Sequence, residues 1–291
     1  MLNMMMTTGS ILVTGASGNV GLEVVKCLLA QGQPVRAGGT NPQALRERLG
    51  PAVETAQFDF AQPETFAAAF QGVKSLFLMR PPQITDVKKY LFPAIDAAKQ
   101  AGVAQIVFLS LIGIEHNTRV PHYAVEQYLI ASGIPYTFLR ASFFMQNLNT
   151  THRAEIRERS EIFVPVGRGK TSFIDVRDIA AVAALALTQP GHEHQAYDLT
   201  GREALDYYQV AEVFSEVLGR RITYRNPSAV AFLGRQIRAG TAVPFALVMT
   251  WLYWSTRNGM AAQVTGEVQR LLGREPITLR QYVTDYQEAW R

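Results

Sequence analysis

Residues 10–21 read Ser-Ile-Leu-Val-Thr-Gly-Ala-Ser-Gly-Asn-Val-Gly, an apolar run that stops at a glycine and passes two more at three-residue steps. An apolar helical spacing, Val20, Val24 and Leu28, follows at once. A buried strand that turns through glycines into a helix makes an anion site. The helix N-terminus offers unpaired backbone N–H groups and the positive end of a dipole. In that arrangement Gly15 permits the tight turn, Gly18 lets a pyrophosphate approach the backbone, and Gly21 lets the helix pack on the strand. Gly15, Ser17, Gly18, Asn19 and Val20 are therefore the candidate phosphate-binding residues. The alternative is a glycine-rich turn with no ligand. The spacing is G-x-x-G-x-x-G rather than G-x-G-x-x-G, so the strand and helix around it carry the argument.

Strand-like and helix-like segments alternate from this turn onwards. Strands are predicted over 11–14, 34–38, 53–58, 75–79, 105–110 and 135–139, and helices over 18–31, 42–49, 63–70, 84–101 and 122–132. Five or six βα units in succession predict an α/β fold, a doubly wound parallel (Rossmann) sheet covered on both faces. The second half is less regular. Strands are predicted over 162–166, 196–199 and 222–224. An alanine-rich helix over 176–187 is expected to return to the main sheet. Further helices are predicted over 207–218, 230–239, 245–258 and 264–272. The expected organisation is a dinucleotide-binding domain over 1–150, joined by 174–200. A smaller, mostly helical substrate-binding domain takes 151–173 and 201–291. This architecture binds ligands at the carboxyl ends of the strands, in a cleft expected between the two.

Composition narrows the partners. With 291 residues and 48% hydrophobic content the chain is an ordinary globular one. Its net charge of +4 is mild and its basic residues are scattered, so neither nucleic acid nor an anionic membrane is demanded. The single cysteine, Cys27, excludes an internal disulfide and fits a reducing, cytoplasmic setting; it is expected as a small buried residue. Met1 to Thr8 lacks a basic n-region and a long apolar core, so it is not expected to be a signal peptide. The apolar stretch 242–254 contains Pro244 and is too short to span a bilayer. A small-molecule substrate and a monomer or homodimer are expected.

Together the motifs resemble the NmrA-like family, atypical short-chain dehydrogenase/reductases. They are VTGASGNVG at 13–21, VRAGGTNP at 35–42, FDF at 58–60, SLFLMRPP at 75–82 and AGVAQIVFLS at 101–110. HYAVEQYLIASGIPYTFLRASFFMQNL at 122–148, IDVRDIAAVAALAL at 174–187 and VTGEVQRLLGREPITLRQYV at 264–283 complete the set. The chain is most similar to the bacterial branch with quinone and triphenylmethane-dye reductases. The resemblance implies a nicotinamide cofactor. The second strand ends without a carboxylate, through Gly38, Gly39, Thr40 and Asn41, so a 2′-phosphate is not repelled and Asn41 can donate to it. NADP(H) is expected, with NAD as the alternative. NADP-preferring relatives usually carry arginine where this chain has Thr40. Arg36 either contacts the phosphate or is a solvated strand-edge residue. Asp59 and Phe60 are implied beside the adenine, with Asp59 also suited to cap the helix near Pro63. Leu78, Met79 and Arg80 are implied over the cofactor ribose.

Ordinary members of the superfamily use Tyr-x-x-x-Lys on the helix after the fifth strand. Here the lysine position is His122 and the tyrosine position is Thr118, while Tyr123 points about 100° away from His122 on a helix. The usual proton donor is absent. His122 and Glu126 are spaced i, i+4, so Glu126 is expected to orient His122 near the nicotinamide ribose; a plain exposed pair is the alternative. Ser110 ends the fifth strand, where it either faces substrate or caps a turn. Phe143, Phe144 and Met145 either wall the nicotinamide or fill core, and Phe144 is taken as a cofactor contact. Asn147 either binds a ligand or ties loop backbone together. His192 and His194 carry no metal expectation, and none is expected elsewhere. Hydride transfer to a quinone- or dye-like acceptor needs positioning and water exclusion more than acid catalysis. Phe232, Trp251 and Trp254 could line an apolar cleft for it or simply form core. An NAD(P)H-dependent reductase is therefore expected. The alternative is a non-catalytic redox sensor acting through a protein partner.

Overall fold

The structure, a computed structural model, describes residues 9–291; the segment 1–8, considered above as a signal-peptide candidate, lies outside the described residues. The chain divides into two compact units. Of the described residues, the first comprises 9–141 and 176–199, the second 142–175 and 200–291.

The first unit is a seven-stranded sheet. Its strands are β1 (Ser10–Val13), β2 (Val35–Gly39), β3 (Glu54–Gln57), β4 (Val73–Met79), β5 (Gln105–Leu111), β6 (Tyr136–Ala141) and the strand Gln195–Leu199. They lie in the order β3-β2-β1-β4-β5-β6 followed by Gln195–Leu199, and every pairing is parallel. This is the doubly wound Rossmann arrangement expected from the alternation of elements. Successive strand residues point to opposite faces. Leu12, Leu76, Leu78, Ile106, Phe108 and Phe138 enter one core. Against it pack α3 (Phe66–Phe70), α4 (Val87–Tyr90), α5 (Phe92–Gln100) and α6 (Pro121–Ser132). The other face is covered by α1 (Asn19–Ala30) and the helix Val176–Thr188, which pack on each other. The short α2 (Pro42–Leu49) lies against β2 and β3.

Two predicted elements are cut. The helix expected over 84–101 is two helices, α4 and α5, broken at Leu91; Pro93 starts a new helix because it has no N–H to continue the old one. The helix expected over 63–70 opens as the 3-10 turn Pro63–Thr65. Cys27 is half-buried at the margin of the α1 stripe rather than inside it.

The second unit has its own core, with Trp290, Tyr282, Phe214, Phe232 and Tyr207 fully buried. Two small sheets brace it. Lys170–Thr171 pairs antiparallel with Leu205–Asp206, and Glu161–Ile162 pairs parallel with Thr223–Tyr224. The strand expected over 162–166 is thus only Glu161–Ile162. The helix Tyr207–Leu218 begins at a capping box, Asp206 with Gln209, and ends at Gly219 in the left-handed region. The helices Arg153–Arg159 and Leu279–Asp285 were not predicted. Among the described residues no helix is long and apolar enough to cross a membrane.

Candidate active site

Backbone sterics build the turn between β1 and α1. Gly15 has φ +63°, and a Cβ there would meet Met79 Cε at 2.2 Å. A Cβ on Gly21 would meet the Gly15 carbonyl oxygen at 2.2 Å, so strand and helix touch through bare backbone. Gly18 N–H donates to Gly15 O at 2.8 Å, and the first intrahelical bond runs from Leu22 N–H to Gly18 O at 3.0 Å. Gly18 is the N-cap, with no side-chain cap, and the first turn of α1 carries no acid. The N–H groups of Asn19, Val20 and Gly21 therefore have no intrahelical acceptor, an arrangement that fits an anion. Ser17 and Asn19 are exposed. Val20 is buried, so only its backbone is available.

The neighbouring β2–α2 turn exposes Thr40 and Asn41. Asn41 caps α2, its Oδ1 accepting from Ala44 N–H at 3.0 Å, which leaves its amide hydrogens free. Arg36 is neither a free phosphate ligand nor a solvated edge residue. Its guanidinium donates to Glu54 at 2.8 Å and to the carbonyls of Ala69 and Gln71 at 2.8 and 2.6 Å, clamping the end of α3. Asp59 does not cap the helix near Pro63. Its Oδ1 accepts from Ala61 N–H at 2.9 Å, a local turn, and Gln62 is the cap residue. Phe60 points into the core, edge-on to Phe58 with centroids 5.0 Å apart, and so presents no open ring face.

At the end of β4, Leu78 is buried, and Met79 and Arg80 are half-buried. Arg80 Nη1 gathers the carbonyls of Pro81, Pro82 and Ile84 at 3.0, 3.2 and 2.5 Å, which fixes the extended exit through the two prolines. Arg80 Nε lies 3.5 Å from His122 Nε2. A cation donating to Nε2 leaves the ring proton on Nδ1, and that buried atom has no partner. Burial first, and the Arg80 charge second, pull the His122 pKa down to about 3. The imidazole is neutral near pH 7 and has one inward N–H to give. An unpaired buried donor at this point fits a hydroxyl-bearing cofactor.

Glu126 does not orient His122. His122 and Glu126 each meet a different residue of β5. His122 faces the Phe108 ring at 5.9 Å, while Glu126 accepts from Ser110 Oγ at 2.6 Å. Arg140, the cross-strand neighbour of Ser110, donates to Glu126 at 3.1 and 2.7 Å and also pairs with Glu115 at 3.1 Å. The hydrogen bond to Glu126 is the main cause that raises the Arg140 pKa. Ser110 and Glu126 are fully enclosed and spent on this cluster, which pins α6 to β5 and β6. Thr118 lies exposed in the turn ahead of α6, not on it.

Phe144 belongs to the second unit, where it is half-buried and bridges to Ile174; Met145 is core, and Asn147 is exposed. Phe232 is core against the Tyr253 ring, whereas Trp251 and Trp254 are 46% and 56% exposed and are not core. His192 Nδ1 lies 2.9 Å from the Tyr197 hydroxyl. Among the described residues no group of three or more His, Cys, Asp or Glu gathers as metal ligands.

Three residues escaped the sequence reading. Thr14 Oγ1 donates to Phe77 O at 3.0 Å and accepts from Met79 N–H at 2.9 Å, tying β1 to β4. Arg140 is a charge inside an apolar strand, a pattern that signals a buried acid nearby. Arg48 carried no sequence signal, yet its Nη1 donates to the Ser17 carbonyl at 2.6 Å.

A family model, the NmrA-like family, matches residues 7–275. The chain belongs to the NmrA-like family. It is 36% identical over 286 residues to an NAD(P)H azoreductase of Xenophilus azovorans, covering 96% of this chain and 99% of that protein. The Citrobacter sp. triphenylmethane reductase complexed with NADP(H) superposes with a TM-score of 0.84 at 27% identity, covering 95% of this chain and 99% of that one. The NADPH complex of the Escherichia coli NADPH-dependent quinone oxidoreductase gives 0.85 at 26% identity, covering 94% and 99%. The two solved structures share this chain's fold over nearly its whole length.

Proposed function

We propose that this protein is an NADPH-dependent reductase that passes hydride to a small, flat, electron-poor acceptor of the quinone or dye class. One pairing carries the assignment. An uncapped helix N-terminus stands behind the glycine turn, and the α6 site holds a neutral, buried His122 where the lysine of ordinary superfamily members would stand, with no proton-donating tyrosine at Thr118. The printed activities of the similar proteins, reduction of azo compounds, quinones and triphenylmethane dyes, support the acceptor class.

The nicotinamide cofactor supplies the hydride when bound. The chain's own groups bind and orient. The N–H groups of Asn19, Val20 and Gly21 take the pyrophosphate, and His122 Nδ1–H holds a ribose hydroxyl. Burial, with the Arg80 charge second, keeps the imidazole neutral, and the Arg80 donor keeps its proton on Nδ1. His122 cannot deliver a proton in the hydride step, because burial and the Arg80 charge keep its imidazole neutral near pH 7. An acceptor that takes hydride directly, with its proton coming later from water, matches that deficit. Acceptor recognition is assigned to the second unit. Its helix Val243–Arg257 carries no charge before Arg257 and exposes Phe245, Trp251 and Trp254.

The test is NADPH oxidation under anaerobic conditions with menadione, a triphenylmethane dye, an azo dye and simple aliphatic aldehydes. Turnover of the first group with none of the aldehydes is expected. Silence with every quinone and dye, or faster reduction of aldehydes, sinks the proposal.

A further inference from the structure

Arg48 stands near the end of α2, yet its guanidinium lies on the glycine turn, bonded to the Ser17 carbonyl. Helical side chains lean towards the N-terminus of their helix. A long residue here therefore brings its charge back towards the β2–α2 turn. The bond to Ser17 uses one of five N–H donors. No other hydrogen bond or ion pair holds the group among the described residues, and the side chain is exposed. Its acidic neighbour Glu47 is turned to Gln43 instead.

In this architecture the glycine turn takes the pyrophosphate, and the end of the second strand faces the adenosine ribose. An acid there selects the 2′-hydroxyl, and an arginine nearby accommodates the 2′-phosphate. In this chain β2 ends at Gly39 and is followed by Thr40 and Asn41, with neither acid nor base. Arg36, the cation of β2 itself, is consumed by Glu54 and two carbonyls. A charged, under-used guanidinium anchored beside that point is left.

We infer that Arg48 is the residue by which this chain recognises the 2′-phosphate of NADP(H). It does so from the far end of α2, in place of a basic residue at the end of the second strand. The planar fork keeps its contact with Ser17 O and offers its remaining N–H groups to the phosphate, with Asn41 Nδ2 as a second donor. The inference rests on the cofactor assignment made above and deepens it to a specificity-determining residue.

Calorimetric titration of the purified full chain with NADPH, NADH, 2′,5′-ADP and 5′-AMP tests it without turnover. Wild type should bind the 2′-phosphorylated member of each pair more tightly. Arg48→Gln should weaken NADPH and 2′,5′-ADP by roughly 10- to 100-fold, the loss of a charge-assisted pair, while NADH and 5′-AMP stay within about twofold. Arg48→Lys should fall between, since a point charge cannot fork. Unchanged NADH binding also shows that the variants fold. The assignment to Arg48 is overturned if Arg48→Gln weakens both members of a pair equally, or neither. A wild type that binds NADPH and NADH alike overturns it too. A wild type that binds none of the four removes the cofactor assignment itself, a different failure.

Discussion

The glycine turn and the buried face of α6 serve the same sheet, but they are specified in different ways. In the turn, Gly15 demands a rare backbone and Gly21 forbids any Cβ, and the chemistry is done by N–H groups that every residue owns. On α6, the roles of His122 and Glu126 are set by Phe108, Ser110, Arg140 and Arg80, residues from three other segments. Main-chain chemistry is fixed by local spacing. Side-chain chemistry is fixed by who arrives across the sheet. A site of the first kind can be read from a motif, while one of the second kind can carry the right residues and assign them other work.

The largest effect should come from breaking the turn. Gly21→Ala puts a methyl 2.2 Å from the Gly15 oxygen and 2.6 Å from its carbon, both backbone atoms that cannot step aside. Denaturant titration should show a loss of about 4 kcal/mol or no folded protein, at the upper end for overpacking. Gly32→Ala is the control. Its φ of +69° still costs roughly 1 to 2 kcal/mol, but nothing lies within 4 Å. Equal losses in the two variants would show that close approach is not what the turn requires.

Next comes Glu126→Ala, which leaves the Arg140 guanidinium without its main partner. A buried pair broken on one side costs ~3–5 kcal/mol, and partial exposure of Arg140 argues for about 3. If Glu126 instead oriented His122 for chemistry, the variant would lose NADPH turnover while keeping its denaturation midpoint. That split outcome would restore the role expected from the i, i+4 spacing alone.

The contrast explains what was legible. Alternation of apolar runs and helical spacings located the strands, because a parallel sheet buries both faces and tolerates little else. The turn glycines were legible for the steric reason given above. Arg36 and Phe60 were misassigned because a strand position says which face a side chain takes, not which carbonyl or ring waits there. Arg48 was invisible. Nothing in Pro-Gln-Ala-Leu-Arg-Glu-Arg-Leu distinguishes it from a solvated helix end until Ser17 is seen beside it. The exposed tryptophans of Val243–Arg257 show the same limit in the second unit, since apolar type alone predicts core.

A pH experiment sharpens the α6 side. The folded His122 pKa of about 3 lies below the unfolded value of 6.5, so between them the unfolded chain holds more protons. Stability must therefore fall as pH drops through 6.5 and go on falling to about 3. From pH 7 to pH 5 the loss assigned to this one group is about 2 kcal/mol. Chemical denaturation across that range should show the slope in wild type and a flatter one in His122→Phe. A slope that survives the substitution would mean that other groups titrate there and that His122 is less enclosed than the geometry indicates.

The smallest effect belongs to the residue that joins the two regions. Thr14 ends the apolar run of β1, fully buried, and its hydroxyl accepts from Met79 N–H while donating to Phe77 O. Phe77 O also accepts from Thr14 N–H at 3.0 Å, so it keeps a partner when the hydroxyl goes. Met79 N–H does not. Thr14→Val preserves shape and removes both side-chain bonds, leaving one donor unpaired at roughly 1 to 2 kcal/mol. Thr14→Ser keeps the bonds and loses one buried methyl, ~0.8 kcal/mol. Because Met79 lies over Gly15 and Arg80 follows it in the chain, loosening Met79 disturbs both regions at once. Thr14→Val should therefore weaken NADPH binding severalfold, an effect that Thr14→Ser lacks. If both variants bind NADPH as wild type does, the turn and the α6 site are mechanically independent, and the hydroxyl only secures strand to strand.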